Sequence, residues 1–231
     1  MQDIDLNKVV RHQGEDGLRQ KPSKKNEKYQ DNHMAVILQK LFGSLGDWCA
    51  DPHLRDASGA VIRRNGGKSY IQPDFCNYKL KLIIEIDGDA PTQSRYGGGH
   101  FSDEEKAIND NQKDEIYKEQ GFEVIHIPYF VQLDEAMVNF YFGKYGVSCK
   151  DKLYKNADMH GFLHPKCSLP VSFAPTGIKN FEKIMASIPT SVRDKIIETL
   201  KVRINKFEDE GFDTESATNK VLPQCLRYLI K

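Results

Sequence analysis

A chain of 231 residues is long enough for one core domain, or for a core domain with a small appendage. Charged residues at 29%, hydrophobic residues at 39% and a mean hydropathy of -0.59 exclude a disordered chain, and no run approaches the roughly 18 apolar residues of a membrane helix. The 33 basic and 33 acidic residues cancel to zero, which argues against a polycation that coats nucleic acid, although a local basic patch still suffices for a nucleic-acid enzyme.

Residues 1–25 are polar. Arg19 to Lys25 holds four cations in seven residues, which predicts a basic flexible arm, either simply solvated or touching phosphates. The opening MQDIDLNKVV lacks the charged-then-apolar layout of a signal peptide, so a cytoplasmic or nucleoid-associated protein is expected. Five widely spread cysteines, odd in number, do not suggest a disulfide framework.

A core is expected over residues 26–145. Met34, Ile37, Leu38, Leu41 and Leu45 recur at helical spacing and predict a helix over 27–44. Residues 46–69 read as loop with one short strand at Ala60–Ile62. Strands follow at 70–76 and 80–86, joined through Asn77-Tyr78 as a hairpin, with Pro73 marking an edge or irregularity. The apolar run Leu82-Ile83-Ile84 is that of a strand covered on both faces. After the glycine-rich loop Tyr96 to His100, a polar helix is predicted over 103–120. Ser102 and Glu105 have capping-box spacing, and Gly121 ends the helix. Phe122–Ile127 is a further strand, closed by Pro128. Strand 81–86, helix 103–120 and strand 122–127 make a βαβ unit with parallel strands and a right-handed crossover.

Residues 146–176 form a Cys/His-rich connector. Residues 177–231 form a helical segment with three apolar stripes: Ile178, Phe181, Ile184, Met185 and Ile188; then Val192, Ile196, Leu200, Ile204 and Phe207, with Ser191 and Asp194 as its cap; then Leu222, Cys225, Leu226 and Leu229.

The chemistry concentrates at residues 73–88. Asp74 follows Pro73 near the end of one strand, and Glu85 closes the apolar run of the next. For the two carboxylates to meet, the first strand is expected to bend at Pro73. Glu85 and Asp87 are two apart and share one side of an extended strand. Three converging acids repel one another, and a hard divalent cation such as Mg²⁺ relieves that repulsion. On the predicted helix, Asp110, Asp114 and Tyr117 share a face. His126 alternates within its strand and reads as packed or exposed.

Four blocks, QPDF at 72–75, LIIEIDG at 82–88, DNQKDEIYKEQG at 110–121 and FEVIHI at 122–127, resemble in order and spacing the PD-(D/E)xK nuclease superfamily. Within it they are most similar to very-short-patch repair endonucleases and related small bacterial proteins. The resemblance covers about a quarter of the chain. It implies an α/β restriction-endonuclease-like core, a mixed central sheet flanked by helices, with the C-terminal helical segment appended. It implies Asp74 and Glu85 as metal ligands, with Mg²⁺ as the metal and Mn²⁺ as a substitute. Asp87 stands where the superfamily's lysine usually stands, so it is a third ligand, a substitute base, or a sign of lost activity. Related families place a histidine just after the Asp-Gly pair; Asp89-Ala90-Pro91 follows here, and His100 is the nearest replacement. Asp110 and Lys113 match the aspartate and basic residue those families carry on the next helix.

The expected activity is therefore a Mg²⁺-dependent endonuclease on double-stranded DNA, of restriction, repair or mobile-element type, working as a monomer or homodimer with no membrane partner. Asp74 and Glu85 would hold metal, and Asp87, His100 or Lys113 would assist. The N-terminal arm and C-terminal helices would grip DNA. The alternatives are a non-catalytic nucleic-acid-binding module on the same fold, or a phosphodiesterase acting on RNA or branched DNA. Separately, Cys149, His160, His164 and Cys167 follow C-x10-H-x3-H-x2-C. Their thiolate and imidazole donors suit a structural Zn²⁺, although the spacing is that of no standard finger.

Overall fold

The structure, a computed structural model, describes residues 11–12, 19–20, 41–42, 48–50, 52–64, 69–87, 99–131, 133–147, 169–170 and 172–230. In chain order these form β1 (Arg11–His12), β2 (Arg19–Gln20), β3 (Cys49–Ala50), β4 (Phe75–Asn77), β5 (Leu82–Asp87), α1 (Glu104–Glu119), β6 (Glu123–Pro128), α2 (Glu135–Phe142), α3 (Pro175–Ser187), α4 (Thr190–Asp209) and α5 (Thr214–Val221). Short 3-10 stretches lie at Gly143–Tyr145 and Gln224–Ile230. The class is mixed α/β. The expected helix over 27–44 lies outside the described residues except for Leu41 and Phe42, which are helical. The Cys/His set at 149–167 lies wholly outside them.

The sheet runs β2-β1-β3-β4-β5-β6. Its centre is mixed. β4 and β5 are antiparallel, with Phe75 opposite Ile84, Cys76 opposite Ile83 and Asn77 opposite Leu82. β5 and β6 are parallel, since the bonds Glu123 N–H to Lys81 O (2.8 Å) and Tyr129 N–H to Asp87 O (2.9 Å) advance along both strands in the same direction. β5 is buried at all six positions, as its unbroken apolar run requires. Beyond β4, two-residue strands extend the sheet: β3 antiparallel to β4, β1 parallel to β3, and β2 antiparallel to β1. Two of these short strands fall within the segment read as an arm.

The chain clusters into two compact units, Met1–Ile86 with Gln112–Ile127, and Asp87–Asn111 with Pro128–Lys231. In the first, Leu54, Ile71, Cys76, Ile83, Tyr117 and Phe122 form a buried core, with Ile62, Tyr78, Ile116 and Val124 packed against it. In the second, Phe101, Phe130, Phe173 and Phe181 cluster with ring centroids 5.2–6.2 Å apart. Gly177 of α3 lies against the Phe101 backbone so closely that a Cβ there would fall 1.9 Å from the Phe101 oxygen.

Several local expectations are corrected. The strand expected at 70–76 begins only at Phe75; Tyr70 forms an isolated bridge with Arg63, and Asp74 is a bend. Pro73 explains this, because it has no N–H to give to a ladder. The strand at Ala60–Ile62 is likewise only a bridge, Val61 with Arg55. The cap of α1 is Asp103, whose Oδ1 accepts the Lys106 N–H at 3.1 Å. That is one residue later than the Ser102–Glu105 spacing suggested. α4 starts at Thr190 behind Pro189 and makes no side-chain cap bond. Ser191 is therefore already inside the helix. Gly121 does end α1, with φ +76°, a conformation costly for any residue with a Cβ. The last stripe is not one α-helix: α5 stops before Pro223, and a 3-10 stretch follows. With about three residues per turn, Leu226 is buried while Cys225 is exposed.

Candidate functional site

The β4–β5 register carries the site. One step beyond the Phe75–Ile84 pair, Asp74 comes opposite Glu85 at a bend directly after Pro73, where the sequence suggested one. What changes there is the bonding. The Ile86 N–H donates to Asp74 Oδ2 at 2.8 Å, and the Asp74 N–H approaches Glu85 Oε2 at 3.4 Å. Side-chain oxygens on both strands take backbone donors that a longer ladder would have used.

α1 supplies the other contacts within the same unit. Lys113 and Tyr117 are four apart and so share a helix face. Both reach Glu85 Oε1: the Tyr117 hydroxyl donates at 2.5 Å, and Lys113 Nζ lies at 3.6 Å. Next along, Asp114 meets His126 of β6, with Nε2 3.0 Å from its carboxylate. Local spacing gave no sign of this pair, because it depends on which turn of the helix faces which strand.

The electrostatics follow from burial. Glu85 is 7% exposed. Burial first, then the neighbouring Asp74 charge, pushes its pKa up to about 7, against the opposing pull of Lys113, Tyr117 and His126. The Tyr117 hydroxyl is driven far above its ordinary value by burial and then by the Glu85 charge. It therefore stays protonated and keeps the proton it donates to Glu85.

Among the described residues no group of three or more His, Cys, Asp or Glu is arranged to hold a metal. The Asp74–Glu85 pair is nonetheless a fitting donor set for a hard cation. Mg²⁺ is commonly held by one or two carboxylates, with water and substrate phosphate completing the octahedron. An ionised carboxylate has about four acceptor positions, so the protein donors above leave some open. Burial first, and then the Asp74 charge, disfavours ionised Glu85, and a bound cation would offset both.

The second unit holds a separate cluster. His100 Nδ1 lies 2.6 Å from Asp110 Oδ2 and 3.8 Å from Asp87 Oδ1. Asp87 is buried. Burial of His100 would lower its pKa, but the hydrogen bond to Asp110 and the charges of Asp87 and Asp110 outweigh that, and the net shift is upward. Asp87, Asp110 and His100, each singled out from sequence, are thus brought together, with His100 facing both carboxylates.

No protein-family model, curated protein or solved structure matches this chain. No helix among the described residues is long and apolar enough to cross a membrane.

Proposed function

We propose that this chain is a Mg²⁺-dependent endonuclease of the PD-(D/E)xK kind, hydrolysing phosphodiester bonds in duplex DNA. The observation that carries this reading is the Asp74–Glu85 pair, opposed across β4–β5, with Lys113 and Tyr117 both directed at Glu85. Asp74 and Glu85 hold the metal. When bound, Mg²⁺ supplies Lewis-acid polarisation of the phosphate and activation of water. Lys113 provides from the helix the cation that Asp87 fails to provide from the strand. Tyr117 fixes the Glu85 carboxylate by donating to one of its oxygens. In the second unit, Asp110 and Asp87 hold the His100 ring and favour its protonated form.

The test is cleavage of plasmid DNA in Mg²⁺ or Mn²⁺ by the native chain and by Asp74→Ala and Glu85→Ala. Circular dichroism confirms that each variant is folded. Cutting must disappear in both variants; cutting that survives both sinks the proposal. Parallel digestion of duplex DNA, single strands and RNA separates the substrate classes. A second reading, a non-catalytic nucleic-acid-binding module, draws support from Asp87 standing where the superfamily's lysine usually stands. It predicts duplex binding with no cleavage in either metal.

A further inference from the structure

Residues 52–64 and 69–71 form a small platform in the first unit, held by backbone bonds rather than full strands. Leu54 N–H donates to Ile71 O (2.9 Å), Ile62 N–H to Leu54 O (2.8 Å), Ile71 N–H to Ile62 O (3.2 Å) and Arg64 N–H to Ser69 O (2.9 Å). Extended residues alternate sides. Leu54 and Ile71 are fully buried in the core, with Ile62 packed against it. The intervening positions, His53, Arg55, Val61, Arg63 and Tyr70, therefore lie on the opposite face.

That face is basic and aromatic. His53 and Tyr70 are stacked, with ring centroids 4.2 Å apart and planes 17° from parallel. The Arg63 guanidinium lies 4.3 Å from the Tyr70 centroid. His53 and Arg63 therefore both pack on the Tyr70 ring. Arg63 also donates to the Tyr70 hydroxyl at 2.9 Å, yet remains exposed. Arg55 is tied to Gly59 O at 2.7 Å. The nearby acid, Asp56, turns its carboxylate onto its own turn, accepting from the Ser58 and Ala60 N–H groups and the Ser58 hydroxyl.

An exposed arginine ordinarily loses side-chain entropy on gripping a phosphate. Stacking on Tyr70 has already removed much of that freedom. The chain also links this face to the carboxylates. Tyr70 precedes Asp74 by four residues, so their Cα atoms are separated by at most about 14 Å. At about 3.4 Å of duplex axis per nucleotide, that is within roughly four steps.

We propose that the Arg63–Tyr70–His53 stack, with Arg55 beside it, is a phosphate clamp that positions the backbone of duplex DNA near the Asp74–Glu85 pair. This rests on the nuclease reading above and adds a substrate-positioning surface to it. Such contacts set register and affinity without reading base sequence.

The test is binding of a short fluorescent DNA duplex to the full chain by anisotropy, with Ca²⁺ in place of Mg²⁺, across about 50–200 mM salt. Arg63→Ala should weaken binding about tenfold at low salt and lower the slope of log affinity against log salt by about 1. Arg63→Lys keeps the charge but not the stack, and should recover only part of the loss. Lys118→Ala removes one exposed positive charge elsewhere in the same unit, on α1, and should change little. Unchanged affinity in Arg63→Ala, full recovery in Arg63→Lys, or an equal loss in Lys118→Ala overturns the clamp while leaving the nuclease reading standing. A native chain that neither binds nor cuts duplex DNA overturns both.

Discussion

Replacing Glu85 by glutamine should stabilise the metal-free protein, and by an amount that depends on pH. Glu85 is buried beside Asp74, and its pKa is raised from 4.5 to about 7. A carboxyl raised on folding favours the folded state fully below its unfolded value. That contribution is lost as pH climbs through its folded value. At about 1.4 kcal/mol per pH unit, ionisation of Glu85 above pH 7 costs about 3 kcal/mol. Glutamine carries no charge to desolvate. It can still accept the Tyr117 hydroxyl on its oxygen. Its amide nitrogen then faces the Asp74 N–H, which loses a long 3.4 Å contact, at about 1 kcal/mol. The net expectation is a gain of about 2 kcal/mol near pH 8, worth roughly 4–8 °C in Tm for a chain of this length. Near pH 5 the advantage should vanish or reverse. Thermal unfolding of both proteins in chelator at the two pH values decides it. An equal Tm difference at both, or a loss at pH 8, would refute the account of Glu85 as a buried acid ionised at a cost. The direction matters for function, because a residue kept at a cost to stability is what a metal ligand is expected to be.

Two further outcomes follow from the second unit. Gly177→Ala places a Cβ 1.9 Å from the Phe101 carbonyl oxygen and 2.6 Å from its carbon, and backbone cannot swing aside as a flexible side chain does. The cost should be about 3 kcal/mol, and a Tm unchanged from the native chain would show that α3 does not approach this closely. His100 should titrate above its ordinary value near 6.5. Its charged form therefore stabilises the fold fully below that value, and the contribution fades as pH rises through the elevated one. Accordingly His100→Gln should cost more stability near pH 6 than near pH 9, and an NMR titration midpoint for His100 below about 6.5 would contradict the pairing with Asp110 and Asp87.

Much of the central architecture is local in origin and could be read in order along the chain. The run Leu82-Ile83-Ile84 required a strand covered on both faces, and all six residues of β5 are buried. Gly121 required a helix end, and the strand Glu123–Pro128 follows it. The nearness of Asp74 and Glu85 was also legible, because a short hairpin leaves little choice of register. Lys113 was expected near the carboxylates only through the family resemblance, and the pairs Tyr117–Glu85 and His126–Asp114 were not legible at all. They form because one side of α1 is turned to β5 and β6. Helix rotation is set by the packing of Ile116 and Tyr117 into the core, a sum of many weak contacts that no single residue announces. The clamp face shows the same division. In the sequence, residues 46–69 read as loop with one short strand at Ala60–Ile62, and Tyr70 opens the next strand. Only the burial of Leu54, Ile62 and Ile71 decides that His53, Arg55, Arg63 and Tyr70 share the other side.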